Sequence, residues 1–185
     1  YRTEALSLTT VLPYFRNLGL EVVDERPYTI TKADGTTVHI YDFGLRHPGL
    51  ASSASSREDL TEAFEAAWSG RAESDGFDQL VIAAGMTWRQ VVVLRAYARY
   101  LRQTRSSYSQ EYIESCLLTH VPIARDLVRL FEVRFDPDWS PESGENDGSE
   151  GFEARQHASE RIAGQILRAL DDVSSLDFDR ILRSL

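Results

Sequence analysis

Four sets of residues have the types and spacing to do chemistry. Asp24, Glu25 and Arg26 place two carboxylates beside a guanidinium, the makings of an acid–base cluster. Just ahead of Pro27, they read better as the solvated edge of a strand. Trp88, Arg89, Arg95, Tyr97, Arg99, Tyr100 and Arg102 interleave aromatics with arginines along one helical stretch, a pattern that can stack nucleobases. Trp88, Val91, Tyr97 and Leu101 serve equally as core residues. With a formal net charge of −9 the arginines have ample acids to pair with, so the core-and-ion-pair reading is preferred. Ser7, Thr9 and Thr10 set hydroxyls beside the free N–H groups that open a helix, a place that can hold a carboxylate. They are the candidate effector-binding residues, although any well-capped helix looks the same. Cys116, the one cysteine, sits in the apolar run Ile113–Leu118 and reads as a buried small hydrophobe rather than a reactive thiol.

Other chemistry is missing. There is no GxGxxG and no P-loop, and the eleven glycines are scattered, so no dinucleotide or nucleoside phosphate site of the usual kind is expected. His39, His47, His120 and His157 lack the spacing of a shared helical metal site, and no cysteine pair exists, so no metal is expected. Lys32 is the only lysine among 20 basic residues and lies beside an exposed turn, a poor place for a catalytic amine. No catalytic and no cofactor-binding residue is assigned.

The elements that would position these groups follow from the pattern. Thr9 or Thr10 is expected to cap a short helix carrying Val11, Leu12, Phe15 and Leu18, with Pro13 near its first turn and Gly19 as its left-handed stop. Leu20–Thr31 reads as a strand that Pro27 either breaks or confines to a sheet edge. Asp34-Gly35 turns the chain into a second strand, Thr37–Leu45, with His39, Tyr41, Phe43 and Leu45 on one face and Val38 and Ile40 on the other. A loop of small residues, His47 to Ser56, follows, and Ser56 is expected to cap a helix buried along Leu60, Phe64, Ala67 and Trp68.

From Ser74 the pattern is helical. Phe77, Leu80, Val81 and Ala84 make one stripe, and Thr87 with Gln90 makes a capping box for a helix running to about Gln103. Ser109 caps a helix bearing Ile113, Cys116 and Leu117. Pro122 starts the next, which carries Ile123, Leu127, Leu130 and Phe131 and ends at Asp136-Pro137. Pro137–Gly151 holds five acidic residues and reads as a flexible linker. A long helix with Ile162, Ile166, Leu170 and Val173 follows, and Leu176–Leu185 begins another helical pattern.

The 185 residues are 42% hydrophobic and 26% charged, enough for one good-sized domain or two small ones with a real core. A pI near 4.9 argues against nucleic acid and against an anionic membrane surface. No apolar run approaches the ~20 residues of a membrane span, and Tyr1 opens neither a signal nor a transit peptide. A reducing cytoplasm fits the single cysteine.

Three stretches carry a family resemblance. The first is Leu12-Pro13, Asn17-Leu18-Gly19-Leu20-Glu21-Val22 and Asp24-Glu25-Arg26-Pro27-Tyr28. The second is Gly76-Phe77, Leu80-Val81, Ala84-Gly85-Met86-Thr87-Trp88-Arg89 and Leu94 through Gln103. The third is Tyr108-Ser109-Gln110, Tyr112-Ile113, Leu130-Phe131-Glu132, Arg134-Phe135-Asp136-Pro137, Leu176-Asp177 and Asp179 through Arg183. Their order and spacing resemble the large bacterial NAD-specific glutamate dehydrogenases. The resemblance implies an α+β fold: an incomplete ACT-like (ferredoxin-like) module over 1–70, a helical region over 71–136, the linker over 137–151 and a helical segment over 152–185 leading to the catalytic domain. Only a stub of the module's first strand and no evident last strand are present. The resemblance also implies a regulatory or assembly role within the enzyme. NAD would bind elsewhere, partners would be other parts and copies of the same enzyme, and a small amino acid would be a possible effector. A free-standing ACT-type amino-acid sensor and a structural spacer are the alternatives.

Overall fold

The computed structural model describes residues 3–47, 54–104, 106–140 and 148–185, without the side chains of 54–56 and 148–151. Two compact units emerge, Tyr1–Trp88 and Arg89–Leu185.

The first unit opens with α1, Leu8–Asn17. Its N-cap is Ser7, so neither Thr9 nor Thr10 caps it, and Pro13 falls well inside the helix. Three hydroxyl residues in a row offer three possible starts, and the helix takes the earliest. The hydrogen bond that Pro13 cannot donate would have gone to Thr9 on the exposed side, where water can replace it. At the other end Gly19, at φ +77°, lets its own N–H reach Arg16 O at 2.9 Å and Leu20 N–H reach Phe15 O at 2.8 Å. This is the expected left-handed stop, in Schellman form.

β1, Glu21–Thr31, and β2, Thr37–Arg46, pair antiparallel as a two-stranded sheet. β1 runs unbroken through Pro27, which lies opposite Tyr41, and Val23 is the extra residue of a bulge. The turn is closed by Lys32 N–H to Thr36 O at 2.8 Å and Gly35 N–H to Lys32 O at 2.9 Å, with Gly35 at φ +82°. On the inner face Phe43 meets Phe15 at 5.1 Å, and Phe15 stacks on Phe64 at 5.1 Å. Phe64 belongs to α2, Ala54–Trp68, where it stacks on Trp68 at 5.9 Å, while Tyr14 packs edge-on against both. Such ring pairs add about 0.5–1.5 kcal/mol each beyond their buried area. α2 starts two residues ahead of Ser56, which therefore lies inside the helix and does not cap it. Pro48 to Ser53 of the expected loop lie outside the described residues. A 3₁₀ turn, Gly76–Asp78, leads into α3, Gln79–Ala83, and Phe77, Leu80, Val81 and Ala84 are all buried as the spacing predicts.

In the second unit, α4 spans Trp88–Gln103, with Val91, Leu94, Arg95, Ala98 and Leu101 buried. α5, Gln110–Thr119, is capped by Ser109, whose hydroxyl accepts from Tyr112 N–H at 3.2 Å. α6, Val121–Phe135, takes Pro122 in its first turn and ends at Asp136. α7, Gly148–Leu170, buries Ile162, Ile166 and Leu170; Val173 falls in the turn beyond it. Linker residues 141–147 lie outside the described residues. α8, Leu176–Ser184, is capped by Ser175 and docks on α5: the Cys116 thiol donates to Phe178 O at 3.7 Å, and Tyr112 and His120 pack on the Phe178 ring at 5.3 and 5.6 Å. The two strands with eight helices among the described residues are an incomplete ACT-like module joined to a helical region.

Candidate functional site

Ser7, Thr9 and Thr10 are all exposed at the start of α1. The Ser7 hydroxyl makes no cap bond and instead pairs with the Thr9 hydroxyl at 2.7 Å. Thr10 N–H bonds Ser7 O at 3.0 Å, and Leu6 N–H donates to the Tyr41 hydroxyl at 2.7 Å, tying the turn to β2. Thr9 lines a hollow of about 400 Å³ with Leu12, Pro13, Arg16, Leu20 and Val22. Thr10 lines a different one of about 480 Å³ that includes Tyr14, Asn17 and Ser74. The helix thus brings Ser7 and Thr9 together and sends Thr10 to another side.

The other chemical groups sit as follows. Asp24 and Arg26 form an exposed ion pair at 3.4 Å along the strand. In α4, Val91 and Leu101 are buried and Trp88 and Tyr97 half-buried, with Tyr97 edge-on to Phe131 at 6.2 Å. Arg95 is 4% exposed and held by neighbours, so the core part of the reading describes the inner face of this helix. Burial raises the Tyr97 hydroxyl, with the Arg134 charge acting against it. Burial pushes the Cys116 thiol up to about 12. Asp34 is lowered, chiefly by the Thr36 backbone N–H that donates to its carboxylate at 2.8 Å. Within each unit these groups lie on separate elements. Among the described residues no three of His, Cys, Asp and Glu stand close enough to hold a metal, and no helix is long and apolar enough to cross a membrane.

One concavity escaped the sequence reading. Arg99, Arg102 and Gln103 at the end of α4 and Ser106, Ser107, Tyr108 and Ser109 before α5 line about 580 Å³. The signal was available as two arginines at i and i+3 followed by a serine-rich connection.

Residues 1–58 match the family model for the glutamate dehydrogenase ACT3 domain, and residues 72–137 match that for glutamate dehydrogenase helical motif 3. The chain is 42% identical to the NAD-specific glutamate dehydrogenase of Halomonas elongata over 99% of its length, and 43% identical to that of Mycobacterium tuberculosis over 96%. The corresponding Pseudomonas aeruginosa protein is 42% identical, again over 96% of this chain. In each case the chain spans 11% of the length of the relative. Two successive modules of one enzyme are thus matched in order, and the chain belongs to the NAD-specific glutamate dehydrogenase family, of whose members it represents a short piece.

Proposed function

We propose that this chain is a regulatory or assembly segment of a cytoplasmic NAD-specific glutamate dehydrogenase, without catalysis of its own. The whole enzyme would convert L-glutamate, NAD⁺ and water to 2-oxoglutarate, ammonia and NADH, with NAD bound outside these residues. The match to the ACT3 model and to three relatives bearing that name supports the enzyme. The scattered glycines and the single turn-side lysine support the absence of chemistry here.

Assembly is the preferred role, and the outer face of the β1–β2 hairpin carries it. Cross-strand partners share a face, so Tyr28 with Ile40 and Ile30 with Val38 form an apolar patch away from the aromatic core. Tyr28 and Ile30 are each 50% exposed. A two-stranded sheet is marginal alone, and partners that cover this face or extend the sheet complete it. Other parts and copies of the same enzyme are those partners.

Effector binding is the second reading. The Ser7 hydroxyl turns to Thr9 and leaves the first N–H groups of α1 without a side-chain cap, a place for an amino-acid carboxylate. Sedimentation of the purified chain should show concentration-dependent self-association that Ile30→Lys abolishes. Calorimetry of the same sample against a panel of amino acids tests the effector. A chain that stays monomeric at high concentration and binds no amino acid leaves the spacer reading. NADH formation from glutamate by these 185 residues alone would overturn the assignment of catalysis to the rest of the enzyme.

A further inference from the structure

The 580 Å³ concavity between the end of α4 and the start of α5 has an unusual lining for so acidic a chain. Among the described residues its lining is two arginines, a glutamine, three serines and a tyrosine, with the Glu111 and Asp177 carboxylates bonded to Ser109 and Tyr108 at its rim. Arg99 and Arg102 are one helical turn apart and so share a face of α4. Neither is idle, but Arg102 donates to Gln110 Oε1 over 3.5 Å, at the outer limit of a hydrogen bond. The Ser109 hydroxyl is already committed: it accepts from Tyr112 N–H and bonds the Glu111 carboxylate. Glu111 is lowered mainly by hydrogen bonds from its own backbone N–H and from Ser109, with the Arg102 charge a smaller cause, so the positive potential reaches the rim. Ser106 accepts weakly from Tyr108 N–H at 3.4 Å, which leaves its O–H a donor. Tyr108 donates to Asp177 Oδ1 at 3.0 Å, which holds the far wall against α8.

We propose that this concavity is a binding site for the phosphate group of a small polar phosphate ester, clamped by Arg99 and Arg102 with Ser106 and Ser107 as hydroxyl donors. Two planar, permanently charged forks suit an oxyanion carrying nearly two charges, whereas one carboxylate needs only one of them. The hollow, about 580 Å³ and widely open to solvent, leaves room beside a phosphate for the rest of a small ester. Its lining, more polar than apolar, disfavours an apolar ligand.

The test is two-dimensional NMR of the full 185-residue chain titrated at constant ionic strength with inorganic phosphate, adenosine monophosphate and acetate. Phosphate and the ester should shift the Ser106, Ser107 and Tyr108 amides saturably, the ester binding more tightly, and acetate should not. Joint Arg99→Gln and Arg102→Gln should weaken phosphate binding by about tenfold or more, while Arg168→Gln on α7 should leave it unchanged. Ser107→Asp, which leaves α4 intact, should abolish binding and serves if the arginine variant misfolds. Shifts without saturation, equal binding of acetate, or binding that survives both variants overturns the site. An ester that binds no more tightly than inorganic phosphate overturns the ester assignment.

Discussion

Burial raises the Cys116 thiol to about 12, so the nucleophilic thiolate is essentially absent at neutral pH. The folded chain should resist a thiol reagent such as 5,5′-dithiobis(2-nitrobenzoate) and react fully in denaturant; rapid native labelling would contradict the packing seen against α8. The sign for stability follows. An unfolded thiol ionises near its ordinary value, so this contribution is complete below that pH and is lost as pH rises toward 12. Gly19 offers a second check. A side chain at φ +77° is strained, and a Cβ there would also meet Gln79 Cγ at 3.3 Å. Gly19→Ala should lower unfolding free energy by about 1–2 kcal/mol in urea titrations, whereas an unchanged midpoint would mean that the backbone relaxes there. Cys116 and Gly19 were legible in the sequence because each has a single physical reason for its place. The cap of α1 was not, since Ser7, Thr9 and Thr10 offer the same chemistry at neighbouring positions.

Helices α5 and α6 were the easiest elements to read. Their buried stripes are periodic, and Ser109, Pro122 and Asp136-Pro137 mark their ends. Of α8 only the start of a helical pattern was legible. The serine at the head of α8, Ser175, accepts from Phe178 N–H at 3.4 Å, and Asp177, Asp179 and Arg183 sit where the helix dipole favours them. What holds α6 to α7 was not legible, because it depends on distant residues meeting. Arg155 of α7 reaches the end of α6 and donates through Nη1 to Val133 O at 3.0 Å and Asp136 O at 2.9 Å, with its guanidinium 5.1 Å over the Trp139 ring. It satisfies a last-turn carbonyl that the helix itself cannot. Arg155→Met keeps the stem but loses these bonds and should cost roughly 1.5–3 kcal/mol by thermal or urea unfolding. Arg155→Lys should recover only part, because an ammonium cannot fork or stack in the same way. Full recovery by lysine would reduce the contact to charge alone.

The whole chain carries a formal charge of −9, and any pairing between copies brings like charges together. Self-association through the apolar hairpin face should therefore strengthen as sodium chloride is raised, the reverse of docking driven by opposite charges. Sedimentation at low and high salt decides, and weaker association at high salt would point to a charged interface instead. At this scale the ordered motifs of the two modules were recognisable in sequence. The short sheet was visible only as missing strands, and the concavity between α4 and α5 was hinted at only by two arginines at i and i+3 ahead of a serine-rich connection. Its lining joins a helix end to a loop, and helical periodicity carries no information about the space between them.

Pro27 has a consequence for growth. Lys32 N–H bonds Thr36 O, and inward and outward pairs alternate from there, so Pro27 falls at a position whose backbone faces away from β2. Along that outer rim Glu25, Thr29 and Thr31 offer an N–H to a newcomer, and Pro27 offers none. The opposite rim, along β2, has no such gap. A sheet that accepts a strand on one side only stops at a finite complex, whereas one with two receptive sides is a monomer for an open-ended fibre. Were copies to pair edge to edge, this one missing hydrogen would act as a chain terminator. Pro27→Thr should convert a closed oligomer into a polydisperse series that light scattering detects, and a variant with the parent's single oligomeric size would show that termination lies elsewhere.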